Sequence, residues 1–159
     1  KGIKPPKPMT MYDEADIDNR DTISFLIFSV NSRFYAINTD LVQEIAQNAK
    51  VHPLPFVPAH IEGVINAGGT AYVAVNPILL FPQKDIKEDP VISKQNFLIF
   101  RRDDDQFCMH ISSIEIFYEI LSEDLKDIVQ EDLLLYKDRK IKILNPDDIE
   151  NRLLKDLAV

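Results

Sequence analysis

Short apolar runs separated by turn residues dominate the chain, a pattern of strands rather than long helices. Ser24 to Val30 and Arg33 to Ile37 read as the two strands of a hairpin, with Asn31-Ser32 as a turn able to visit positive φ. Gly63 to Asn66 is apolar and extended, Gly68-Gly69 is a turn, and Thr70 to Val75 alternates and is rich in β-branched residues. Phe97 to Phe100 and Gln106 to Ile111 predict a second hairpin around Asp103-Asp104-Asp105. Leu133 to Tyr136 and Lys140 to Leu144 predict a third around Lys137-Asp138-Arg139. Ser112 to Ile120 fits helix or strand.

Helical spacing is confined to short stretches. Thr39 and Asp40 offer a cap, with Gln43 as capping-box partner of Asp40. Leu41, Val42, Ile45, Ala46 and Ala49 then form an apolar stripe, which predicts a helix with Gln43, Glu44 and Gln47 outward. Asn76-Pro77 caps a short helix that stops at Pro82. Ser122 caps another, with Glu123 and Asp124 in its first turn. A final helix starts at Asn145-Pro146 and aligns Ile149, Leu153 and Leu157 on one face. Prolines 53, 55 and 58 hold Val51 to Pro58 extended, and a short helical turn is expected from Pro58.

The pattern occurs twice. Phe25-Leu26-Ile27-Phe28 returns as Phe97-Leu98-Ile99-Phe100, and Asn76-Pro77 returns as Asn145-Pro146. Phe34 to Leu41 aligns with Phe107 to Ile114, Tyr72 to Val75 with Ile141 to Leu144, and Glu44 with Phe117. Two copies are too few for a solenoid. They predict a pseudo-symmetric, mainly β domain of small barrels or a sandwich. Residues 1–22, proline-rich and then acidic, read as a flexible leader or linker. The domain covers residues 23–159, with a first half at about 23–82, a link at 83–96 and a second half at 97–159. Whether strands are exchanged between the halves is left open.

Composition narrows the function. The 159 residues are 45% apolar, enough for a core, and carry a net charge of −8. An acidic surface repels phosphate, which argues against nucleic acid and anionic membrane as partners. No stretch is long and apolar enough for a membrane span. A single cysteine, Cys108, excludes an internal disulfide and fits a reducing compartment. The start at Lys1 leaves room for an upstream domain.

Candidate chemistry is sparse. No phosphate-binding loop, dinucleotide fingerprint or nucleophile elbow occurs. His52, His60 and His110 lack ligand spacing with Cys108 and read as surface or half-buried histidines. Cys108, between Phe107 and Met109, reads as a small buried side chain. Asp103 to Asp105 reads as a solvated turn rather than a calcium loop, and Glu115, Glu119 and Glu123 as a solvated face. The expectation is a binding protein, with no catalytic, metal or cofactor residue.

These residues together resemble the CheW-like domain family. The resemblance runs from about Phe25 to Leu154. It is carried by Phe25-Leu26-Ile27-Phe28, Phe34-Tyr35-Ala36-Ile37, Val42-Gln43-Glu44-Ile45, prolines 53, 55 and 58, and Ile61-Glu62-Gly63-Val64-Ile65-Asn66. It implies two pseudo-symmetric, SH3-like, five-stranded β-barrels with a few short helices and a C-terminal helix. It also implies a non-catalytic, cytoplasmic chemotaxis adaptor at membrane-associated receptor arrays. The implied partners are the regulatory domain of a CheA-like histidine kinase, the cytoplasmic tip of a methyl-accepting chemoreceptor, and other CheW-like domains. Val42, Glu44, Ile45, Ile61, Gly63, Asn66 and Gly68 are the implied contacts. An alternative is an interaction module of a larger protein in another motility, polar-localisation or regulatory pathway, and a further one is a small-ligand or nucleotide sensor. The chain departs from the family at Gly68, which replaces the usual arginine. It departs again at Asn76-Pro77-Ile78, which loses two charges, and at Cys108 and Ser112, which replace a glycine and an aspartate.

Overall fold

The computed structural model describes residues 21–103 and 106–157, with side chains to residue 155. Most of the expected leader, Asp104, Asp105 and the Leu157 side chain therefore lie outside the described residues. Strands β1 (Thr22–Val30) and β2 (Arg33–Asn38) form the first hairpin, and Asn31 sits in its turn at φ 52°. A 3-10 turn (Thr39–Leu41) leads to β3 (Val42–Ala46). After the proline segment come β4 (Ile61–Ala67), β5 (Thr70–Val75) and helix α1 (Pro77–Leu80). The second half follows with β6 (Asn96–Phe100), β7 (Phe107–Ile111) and β8 (Ser113–Leu121). Next are a 3-10 turn (Ser122–Asp124), α2 (Leu125–Ile128), β9 (Val129–Gln130), β10 (Leu133–Tyr136), β11 (Arg139–Ile143) and α3 (Pro146–Leu157).

Each sheet is assembled from both halves. One has the order β8-β1-β2-β11-β10-β9 and the other β3-β6-β7-β5-β4. The first-half hairpin is thus completed by strands of the second half, and the second-half hairpin by strands of the first. The exchange is reciprocal down to the parallel pairs, β11 beside β2 (Lys142 opposite Tyr35) and β5 beside β7 (Val73 opposite Phe107).

The repeated Phe-Leu-Ile-Phe strands explain the core. Successive side chains of a strand point to opposite faces. Phe25 and Ile27 enter one sheet's own cluster with Ala36, Ile120, Leu134 and Ile141. Phe97 and Ile99 enter the other's, with Ile65, Tyr72, Ala74 and Cys108. The alternate residues Leu26, Phe28, Leu98 and Phe100 meet in a central cluster that also takes Ile78 of α1 and Ile149 of α3. Both faces of these strands are covered, so their sequence is apolar throughout. The helices begin alike. The Asn76 carboxamide oxygen accepts from the Ile78 and Leu79 amides, and that of Asn145 accepts from the Asp147 amide.

Several local expectations are corrected. The stretch expected to form a helix after Thr39 is strand β3. Its opening turn is capped by the Asn38 side chain, which accepts from the Asp40 amide, and it ends by Val42. Val42 then pairs with Phe100 and Ile45 with Leu98, because the edge of β6 offers a backbone ladder that outweighs a weak helix preference. Gln43 does not close a capping box, and donates instead to the Tyr72 hydroxyl at 3.0 Å. The short helical turn expected from Pro58 is a single hydrogen-bonded turn, closed by the Ile61 amide on the Pro58 carbonyl. Ser122 lies inside a 3-10 turn without a side-chain cap, and α2 is four residues long. Ser112 to Ile120 resolves as β8, and the two-residue β9 makes one sheet six-stranded.

The repeat alignment also shifts by one residue. Glu44 lies opposite Ile99, and Ile116 lies opposite Ile27, both the third residue of Phe-Leu-Ile-Phe. The equivalent of Glu44 is therefore Ile116, not Phe117. Each copy bulges at the residue before, Gln43 in β3 and Glu115 in β8.

Candidate partner-binding surface

The contact residues fall into two groups at opposite ends of the five-stranded sheet's order. Val42, Glu44 and Ile45 lie on β3, one terminal strand, and Ile61, Gly63 and Asn66 lie on β4, the other. Gly68 is in the turn that follows β4. On β3, Glu44 is exposed between half-buried Val42 and Ile45, and Gln43 is exposed as well. Of the residues expected to face outward on a helix, Gln43 and Glu44 are thus outward on the strand, and Gln47 is exposed just beyond it.

On β4, Asn66 is exposed and Ile61 half-buried, whereas Gly63 is buried. A Cβ on Gly63 would lie 2.2 Å from the His52 carbonyl oxygen, and its φ is +146°. The missing side chain seats residues 52–53 against β4. There the His52 amide donates to the Val64 carbonyl (2.8 Å), and the Val64 amide returns the bond to His52 (2.9 Å). Gly68 and Gly69 have φ of +58° and +82°, as a two-residue hairpin turn of the primed type needs, and no atom lies within 4 Å of a Cβ at either.

Three features leave no signal in the local sequence pattern. The first is the loop between β3 and β4, where Phe56 is fully exposed and Leu54 is 41% exposed. The second is a pair of buried polar contacts that hold the link. Arg33 meets Glu88 through both Nε and Nη2 and donates from Nη1 to the Tyr35 hydroxyl at 2.9 Å. His110, expected at the surface or half-buried, is 2% exposed and His60 7%. The His110 Nε2 donates to the Lys94 carbonyl (2.6 Å), and its Nδ1 lies 2.8 Å from the Glu62 carboxylate. Asn76 donates to both Glu62 and the Pro90 carbonyl, each at 2.8 Å. These groups bind the link to both sheets, and their polar atoms are spent on packing. Cys108 is buried, and that burial, followed by the nearby Glu62 charge, pushes its thiol pKa up, away from nucleophilic chemistry.

The third feature is a groove of about 670 Å³ where β2 and β11 meet the ends of the helices. Phe34, Tyr35, Phe81 and Ile149 give it apolar walls, and Lys140 and Lys142 stand among its lining residues. The Lys142 ammonium is paired with Asp132. Among the described residues no His, Cys, Asp and Glu side chains group as a metal site, and no helix is long and apolar enough to cross a membrane.

A family model described as the CheW-like domain matches residues 24–135. Among solved structures, the crystal structure of the scaffolding protein TtCheW from Thermoanaerobacter tengcongensis is similar, with a TM-score of 0.63 and 14% identity. The match covers 79% of this chain and 90% of that one, and at this identity the likeness is one of fold. No curated protein matches the chain.

Proposed function

The chain belongs to the CheW-like domain family, and from that membership we propose that it is a non-catalytic cytoplasmic adaptor coupling chemoreceptor tips to a CheA-like histidine kinase. The observation that carries this reading is the β3 edge, where an exposed carboxylate, Glu44, stands between half-buried Val42 and Ile45. A terminal strand presents unpaired backbone groups, and a charge on it discourages indiscriminate strand addition. The flanking apolar side chains offer contact area, and the carboxylate selects a partner with a matching cation. Ile61, Asn66 and Gly68 supply a second contact at the other end of the strand order, with Gly63 seating the segment beside them.

Co-sedimentation with purified kinase regulatory domain and chemoreceptor tip fragments tests the proposal. Wild type associates, and Glu44→Lys weakens association about tenfold, or roughly 1.4 kcal/mol, with an unchanged melting curve. No association of wild type at about 50 μM with either fragment would falsify the adaptor reading. A second reading, an interaction module serving another motility, polar-localisation or regulatory pathway, is favoured by Gly68, where the family arginine would supply five donors. Binding to a CheW-like domain but to no chemoreceptor tip selects that reading.

A further inference from the structure

Phe56 combines two unfavourable features. It is fully exposed, and its φ of 60° lies in the left-handed region. Glycine and asparagine tolerate that region, whereas a bulky side chain there is an outlier. An aromatic at this position stabilises neither the core nor the turn. The surrounding segment nevertheless holds it firmly. Prolines 53, 55 and 58 restrict the backbone, His52 is bonded twice to Val64, and Gly63 lets residues 52–53 lie directly on β4. A rigid aromatic on a preorganised loop loses little freedom on docking, the property of an interface anchor. Strain and exposure retained together on a rigid support point to a contact outside the molecule.

The charge around the loop describes that contact. The chain carries a net charge of −8, yet Ala46 to Ile61 contains no Asp or Glu and includes Lys50 and His52, both exposed. A lysine beside an apolar plug, in a stretch free of carboxylates, complements a pocket edged by carboxylates. The acidic balance of the whole chain opposes anionic lipid as the occupant.

We propose that the Leu54–Phe56 loop is a docking anchor that inserts Phe56 into an apolar, carboxylate-rimmed pocket of a protein partner. The proposal rests on the adaptor reading and adds a contact separate from Glu44. The test is Phe56→Asn, since asparagine suits both the backbone conformation and the exposure. Its melting temperature is expected to match or exceed that of wild type, while affinity for the kinase or the receptor fragment falls about tenfold. Lys50→Glu is expected to lower the same affinity about threefold, and added salt to narrow that difference. Undiminished binding of both fragments by Phe56→Asn, while Glu44→Lys binds weakly, overturns the anchor and leaves the adaptor reading standing. Wild type that binds neither fragment overturns both. Sedimentation of wild type but not Phe56→Asn with phosphatidylserine vesicles, with fragment binding unaffected, assigns the loop to lipid and overturns the proposal. A lower melting temperature for Phe56→Asn counts against it too, because Phe56 would then serve the fold.

Discussion

The Arg33 side chain is only 6% exposed, and its guanidinium is satisfied from several sides. Glu88 receives the fork, with Nε 2.9 Å from Oε2, Tyr35 accepts from Nη1, and the Pro77 carbonyl lies 3.4 Å from the same nitrogen. The hydrogen bond from Arg33 holds the Glu88 carboxyl below the usual glutamate range, against the opposing effect of burial. The folded pKa is thus lower than the unfolded one, and in acid the unfolded chain binds more protons. The pair's stabilisation is complete above the ordinary glutamate value of about 4.3. It is lost as pH falls through the lowered folded value. Glu88→Gln leaves a buried guanidinium without its counter-charge, so a loss of about 3 kcal/mol is expected at pH 7. Urea melts should also show a smaller loss of stability between pH 5 and 3 than in wild type; equal slopes would mean that Glu88 is not held below its ordinary value. None of this was legible in the sequence, where Arg33 and Glu88 are 55 positions apart. Glu62 and His110, 48 positions apart, were equally hidden. The exposure of Glu44, in contrast, was legible, because a polar residue among apolar ones faces outward in a helix and on a half-covered strand alike.

Secondary-structure elements show where local pattern suffices and where it does not. Hairpin turns at Asn31 and Gly68-Gly69 were readable because positive φ restricts the choice of residue. The two helix starts were readable because Asn-Pro combines a side-chain acceptor with a residue suited to the first turn. Local pattern misleads at β3 because Leu41, Val42, Ile45 and Ala46 satisfy helical spacing in a window too short to exclude a strand. Its state was decided by β6, a partner far along the chain. The same dependence makes β4 sensitive at Gly63. Gly63→Ala places a methyl against the His52 carbonyl at a positive φ, and is expected to cost about 3 kcal/mol. The urea midpoint should fall with little change in slope. A loss below about 0.5 kcal/mol would show that residues 52–53 lift from β4 freely. The paired bulges at Gln43 and Glu115 place Glu44 and Ile116 alike on the two sheets. The copies therefore differ at that position by a charge replaced by an apolar side chain, a difference suited to distinct partners.

At the scale of the whole molecule, reciprocal exchange makes neither half a complete unit. The first half alone would have a hairpin without β8 and β11, and β3 without β6. Cutting the chain between Lys84 and Asp85 should therefore yield fragments that are largely unfolded by circular dichroism when separate. On mixing they should fold with one shared transition. A cooperative melt from the fragment ending at Lys84 would contradict this dependence. The link itself is fastened across the molecule by Glu88, by Asp89 and Val91 carbonyls on Asn31, and by Lys94 on His110. The sequence by itself determined the strand-rich composition of the domain, its two-fold repetition, its turns and the Asn-Pro helix starts. These depend on dihedral preference and side-chain alternation over a few neighbouring residues. Only the tertiary structure decided which half completes each sheet, that β3 is a strand, that Arg33 and His110 are buried with acidic partners, and that Phe56 is left in solvent. Hydrogen-bond partners and burial are set by segments distant in the chain, and local residue preferences carry no record of which distant segment arrives.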